Sequence, residues 1–205
     1  MFRKIFTTVI TVLVAVCFVN SAISQTSRPA RTPTGFYYPI NATFTNDANW
    51  LACGSSYYSN TRHIGADLIY GIGTPIYTIA PGKVLYKSGP KESSGWGIGN
   101  YALVIKHSSS TGDFLAVYGH IQTTLKLNDT VYWGQQIGTI GRYQETVGGR
   151  VIDRTPHLHF GIFPSVSGFP GSGWGRITDN GCSRPNNTNG FVAPISWIRN
   201  KTPKG

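Results

Sequence analysis

The chain has 205 residues, of which 40% are hydrophobic and 13% charged, and a formal net charge of +10. That length allows one domain with a single sizeable core and excludes a large multidomain assembly. The positive charge is diffuse, with no Lys/Arg run, RNA-binding signature or helix-turn-helix pattern, so no nucleic acid partner is expected and an anionic surface is.

A leader opens the chain. Arg3 and Lys4 form a positive n-region, Ile5 to Val19 is nearly unbroken apolar sequence, and Ala22-Ile23-Ser24 supplies the small residues of a cleavage site. This pattern predicts a signal peptide over 1–24, removed before Gln25. The apolar run is short for a membrane span. Cys17 follows Val16, a residue too bulky for lipoprotein processing. The mature protein is therefore expected to be periplasmic or secreted, without a stable membrane anchor. Cleavage removes two of 18 basic residues and none of 8 acidic ones, leaving (18 − 2) − 8 = +8.

Residues 25–35 are rich in Ser, Thr, Pro and Arg and read as a flexible lead-in, with a single domain over 36–200. Cys53 and Cys182 are the cysteines that remain, and neither lies in a CxxC or CxxH. In an oxidising compartment they are expected to form one disulfide.

From Phe36 onward the pattern is that of a β protein. Short strands are predicted at Ile76 to Ala80 and Lys83 to Lys87 around the Pro81-Gly82 turn, then at Tyr101 to His107 and Phe114 to Tyr118. Val131 to Trp133, Ile137 to Ile140 and His157 to Phe163 follow. With 25 glycines and 12 prolines as punctuation, these spacings predict an all-β fold, a small antiparallel sandwich with long surface loops. No helix is expected in the mature chain. The Gly/Ser/Asn-rich stretch from Ser167 to Asn189 reads as a surface loop.

Function is concentrated in the histidines, of which there are five. In His157-Leu158-His159-Phe160 on a strand, the two imidazoles share one face while Leu158, Phe160 and Ile162 share the other. His63-Ile64-Gly65-Ala66-Asp67, if extended, also sets His63 and Asp67 on one face with a glycine between them. Two imidazoles and a carboxylate with one position open match a catalytic zinc site, whereas structural sites are closed. The chain lacks His-Glu-x-x-His, and its glutamates, Glu92 and Glu145, fall in apparent loops, so the proton acceptor must come from elsewhere. If His63, Asp67 and His159 hold the metal, His120 and His157 remain to accept the proton and to stabilise the oxyanion, in either order.

An ordered series of segments accompanies these residues: His63 to Asp67, Gly73 to Tyr77, Ala80 to Val84, Gly99 to Tyr101, Val104 to His107, Tyr118 to His120, Gly134 to Gly138 and Pro156 to Phe160. The series, from about Arg62 to Phe163, resembles the lysostaphin-type, or β-lytic, zinc metallopeptidases, which cut peptide bonds in peptidoglycan. The resemblance implies one Zn2+ per chain on His63, Asp67 and His159, His120 and His157 as the catalytic pair, and the metal in a groove of the sandwich. It implies an exported endopeptidase acting on cross-links or stem peptides of peptidoglycan, with the cationic surface meeting an anionic cell wall. The alternative is a non-catalytic member of the fold that activates another wall hydrolase, but such proteins lack the full ligand set retained here. This sequence departs from the family pattern at Thr155, where a small residue is common, and in the enlarged loop from Ser88 to Gly99, which hints at a groove wide enough for direct cross-links. No wall-binding module is evident beside the peptidase segment.

Three residues are candidates for auxiliary roles, each with a plainer alternative: His107 near the groove or as a polar strand end, Tyr57 beside the oxyanion or as groove lining and core packing, and Asn100 as an orienting or a turn-forming residue. Tyr58 shares the position of Tyr57. Trp96 and Trp174 sit in Gly-rich loops where an aromatic can grip substrate.

Overall fold

The computed structural model describes residues 28–45, 62–89, 97, 99–169, 176–177 and 190–204. The strands are β1 (Arg62–His63), β2 (Ala66–Ile69), β3 (Pro75–Tyr77), β4 (Gly82–Ser88), β5 (Tyr101–Ser109) and β6 (Gly112–Gln122), then β7 (Thr130–Val131), β8 (Gln136–Ile140), β9 (Gln144–Val147), β10 (Arg150–Asp153), β11 (His157–Phe163) and β12 (Arg176–Ile177). The fold is all-β and every strand pairing among the described residues is antiparallel. The main sheet runs β2-β11-β6-β5-β4-β7, with β8 joined to the end of β6 and to β3.

The central strands are covered on both faces, which is why β5, β6 and β11 read as almost continuous apolar runs. On β6, Phe114, Ala116 and Tyr118 enter the larger core, together with Leu103 and Ile105 of β5 and Leu158, Phe160 and Ile162 of β11. The alternate residues Leu115 and Val117 join Ala102, Val104, Phe163 and Phe191 in a smaller cluster on the other face. The β3–β8 ribbon lays Ile76, Ile137 and Ile140 against the larger core. Consecutive side chains thus serve different cores, as strand geometry requires.

One helix, α1 (Pro194–Asn200), corrects the expectation that the mature chain has none. Seven residues are too few to display helical periodicity. Its signals are local: Pro194 at the first turn, and Ile195 and Ile198 three apart and both buried. Trp197 packs on Phe114 and Phe36, with centroids 4.5 and 6.0 Å apart. Packing also begins ahead of residue 36, since Thr32 is buried and the Thr34 hydroxyl donates to the Ile198 carbonyl at 2.7 Å. No helix among the described residues is long and apolar enough to cross a membrane. The expected leader over 1–24, Cys53, Tyr57, Tyr58, Trp96, Trp174 and Cys182 lie outside the described residues.

Candidate metal and catalytic site

Strand β11 lies between β2 and β6, and its register builds the site. His159 is directly opposite Asp67 on one side and Gly119 on the other. Directly opposed residues share a face, so Asp67 and His159 converge across the pair although they stand 92 residues apart in the chain. The neighbouring pairs, Phe160 with Ala66 and Leu158 with Leu68, point into the larger core and lock that register.

His63 arrives differently. The segment from His63 to Asp67 is not one continuous strand: it is interrupted at Ile64 and Gly65, and β1 pairs with β12 whereas β2 pairs with β11. Ile64 therefore enters the smaller cluster and Ala66 the larger one, against simple alternation. Gly65 makes the turn possible beside the site: a Cβ there would lie 2.6 Å from His159 Cε1 and 2.7 Å from the Phe160 carbonyl oxygen. The room expected between His63 and Asp67 is in fact room for the His159 ring.

The result is a compact triangle of donor atoms. His63 Nε2 and His159 Nδ1 each lie 3.0 Å from Asp67 Oδ1, and 2.9 Å from one another. Ideal tetrahedral zinc with bonds of about 2.0–2.1 Å would hold its ligand atoms roughly 3.3 Å apart. The triangle needs to open by only a few tenths of an ångström, and its two nitrogens and one oxygen are the donor types zinc accepts. His63, Asp67 and His159 are the group among the described residues with metal-holding geometry. Burial alone would raise the Asp67 carboxyl, but hydrogen bonds and charge from His159 and His63 outweigh it and hold the group well below the usual carboxylate range. Burial depresses the His159 imidazole, against the opposing pull of Asp67. Both shifts favour a carboxylate and a neutral imidazole, the forms that bind metal.

Of the other two imidazoles, one reaches this triangle and the second packs on the first. His157 Nε2 is 3.6 Å from Asp67 Oδ1. Its Nδ1 lies 2.8 Å from the Thr155 carbonyl, which can only accept, so Nδ1 carries a proton and, in the neutral ring, Nε2 on the Asp67 side carries the lone pair. His120 packs against His157 with ring centroids 4.4 Å apart. Strict alternation after Tyr118 would send His120 into the larger core. Instead β6 carries one extra residue opposite β5, where the register shifts between Tyr101 and Leu103, and His120 adopts a φ of 59°. The bulge turns the imidazole toward His157 and returns Ile121 to the core.

Of the auxiliary residues, His107 stands apart from this cluster. It is buried on β5, where its Nδ1–H donates to the Pro81 carbonyl at 2.9 Å and its ring meets Phe114. Burial pushes its pKa down to about 4, against smaller opposing contributions from the Pro81 and Ala80 carbonyls. Asn100 is buried, donates to the Arg142 carbonyl at 2.9 Å and accepts from Gln122 at 2.5 Å. It thereby anchors the segment that carries Tyr143, a residue the sequence reading passed over. The Tyr143 ring packs 4.1 Å from His120 and 5.3 Å from His157. Its place was partly legible, because Gly148-Gly149 between the alternating segments Gln144–Val147 and Arg150–Asp153 is a two-residue hairpin signal.

Residues 61–168 match the model for peptidase family M23. Among solved structures, the chain is similar to a zinc-containing peptidase from Vibrio cholerae, with 29% identity over 49% of this chain and 26% of that one and a TM-score of 0.37. It is also similar to the catalytic domain of the antimicrobial peptidase lysostaphin from Staphylococcus simulans, with 20% identity over 74% of this chain and 90% of that one and a TM-score of 0.44. The chain thus spans about a quarter of the Vibrio protein. No curated protein matches it.

Proposed function

The chain belongs to peptidase family M23, and from that premise we propose that it is an exported, zinc-dependent endopeptidase that hydrolyses peptide bonds in peptidoglycan. The observation that carries the reading is the triangle of His63, Asp67 and His159, with donor atoms 2.9–3.0 Å apart and two further imidazoles beside it.

Zinc on these three residues would supply Lewis acidity, polarising a scissile carbonyl and acidifying water. The protein supplies the rest. His157, with its proton held on Nδ1 by Thr155, presents Nε2 to take a proton from the attacking water. His120, in ring contact with His157, would donate to the carbonyl oxygen as negative charge gathers there, and the two imidazoles can exchange these tasks as the leaving amine is protonated. Each of the five side chains is at most 5% exposed, so these interactions act in a setting of low dielectric. The anionic wall is the surface a basic exported chain meets, and the leader over 1–24 provides the route.

The test is a turbidity assay on purified cell walls, with and without a chelator, followed by mass analysis of the digest. Walls with glycine bridges are compared with directly cross-linked ones. Chelator-sensitive clearing, with new amino and carboxyl ends in the peptide part, is expected. Activity on whole sacculi should weaken as salt screens the protein's charge. New reducing sugar ends, or clearing that survives the chelator, would refute the reading.

A further inference from the structure

Three rings meet around His157, and one of them is not histidine. The Tyr143 ring lies 4.1 Å from that of His120 at 39° and 5.3 Å from that of His157 at 73°, while the imidazoles are 4.4 Å apart at 62°. We infer that Tyr143 is a positioning residue that fixes the mutual orientation of His120 and His157. The inference rests on the proposed role of those two histidines in proton transfer.

His120 needs such support. A non-glycine residue at φ 59° is strained and persists only where its surroundings over-determine it. Two contacts from the segment after β8 do so. The Gly141 N–H donates to the His120 carbonyl at 2.9 Å, and two residues later the Tyr143 ring covers the imidazole. Backbone and side chain of the strained residue are thus gripped by one short stretch of chain.

That stretch is itself held by a closed polar circuit. The Tyr143 hydroxyl donates to Glu145 Oε1 at 2.5 Å, Arg154 Nε donates to Glu145 Oε2 at 2.8 Å, and the Arg154 N–H returns to the Tyr143 carbonyl at 2.8 Å. Arg142 forks onto both oxygens of Asp153 at 2.8 Å, and Asn100 holds the Arg142 carbonyl at 2.9 Å. Behind the ring there is no slack, since a Cβ on Gly97 would come within 2.9 Å of Tyr143 Cδ2.

Ordinary packing does not account for this arrangement. The β9–β10 hairpin has no core of its own: Val147 and Val151 are 51% and 56% exposed. Its ordered polar contacts gather at the base, around a tyrosine only 6% exposed. A charge-assisted bond from the phenol to a carboxylate already paired with arginine adds to the hold on the tip of the ring, while the close approach of Gly97 confines its face. The ring face, packed on both imidazoles, is what sets them relative to one another.

The experiment compares zinc-loaded full chain with Tyr143→Leu, which keeps bulk but removes the ring, and Tyr143→Phe, which keeps the ring but removes the hydroxyl. A soluble cross-linked muropeptide is the substrate. In Tyr143→Leu, kcat should fall about 100-fold, as expected for catalytic groups misplaced by an ångström, with KM and zinc content unchanged. Tyr143→Phe should recover to within about fivefold of the parent, the worth of one partly exposed hydrogen bond. The imidazole nitrogen resonances of His120 and His157 should move in the leucine variant and stay in place in the phenylalanine variant. Parental kcat in Tyr143→Leu, a phenylalanine variant as impaired as the leucine one, or a loss confined to zinc content or KM would overturn the inference. If the parent cleaves no muropeptide, the functional reading falls separately, and the imidazole spectra alone decide: unmoved resonances in Tyr143→Leu overturn the positioning role, and moved ones sustain it.

Discussion

His107 should make the folded protein acid-sensitive for a reason unrelated to the metal. The imidazole is 1% exposed, Nδ1 carries the proton that binds the Pro81 carbonyl, and Nε2 has no hydrogen-bond partner among the described residues. Protonating Nε2 would create a charge against Phe114 in the core. Burial accordingly lowers the pKa from 6.5 to about 4 on folding. A lowered folded pKa means that the unfolded chain binds the proton first, so stability is lost as the pH falls from about 6.5 towards 4. Between pH 7 and pH 5 the loss from this one group is about 2 kcal/mol, and it saturates near 3 below pH 4. Urea unfolding of the parent and of His107→Leu at pH 7, 6 and 5 isolates the effect, because every other group is common to both proteins and cancels in the difference. The leucine variant should start less stable, having lost the bond to Pro81, but should lose about 2 kcal/mol less across that range. Parallel pH dependences of the two proteins would refute the argument.

Other expectations concern the site and the bridge. His63→Ala, Asp67→Ala and His159→Ala should each lose both bound zinc and turnover by metal analysis and rate on one preparation, and stoichiometric zinc in all three would remove the triangle from consideration. His120→Ala and His157→Ala should keep zinc and lose turnover about 10²–10⁴-fold, so a His120→Ala protein as active as the parent would defeat its assigned role. Gly65→Ala drives a methyl against His159 and the Phe160 carbonyl; zinc affinity should fall about 10–100-fold in a competition titration, and parental affinity would show that the close approach does not matter. Alkylation without reductant, read by mass spectrometry, should leave Cys53 and Cys182 unmodified, and a disulfide closing so long a loop would contribute about 5 kcal/mol; two alkylated cysteines in natively exported protein would contradict the bridge.

Much of the site was written in short-range pattern. That His157 and His159 share a face, with Leu158, Phe160 and Ile162 on the other, follows from the two-residue period of any strand, and β11 has the bounds that its sequence predicts. The donor types and the all-β class are legible in the same way. Helix α1 was not, because seven residues cannot display a period of 3.6. Nor could local pattern say which residues meet. Asp67 stands opposite His159 because β2 pairs with β11 in one register, and register is a property of two strands that neither carries alone. Alternation misdirects His120, since a single extra residue in β6 reverses its face, and that bulge exists only relative to β5. Tyr143 joins the histidines because a hairpin folds its base against the sheet, a contact across chain distance that leaves no periodic trace. Sequence by itself determined which donor groups this protein carries and which of them share a strand face, because side-chain identity and strand period are local. The tertiary structure alone decided which side chains share the site, because convergence depends on pairing, register and bulge, and these are set between segments.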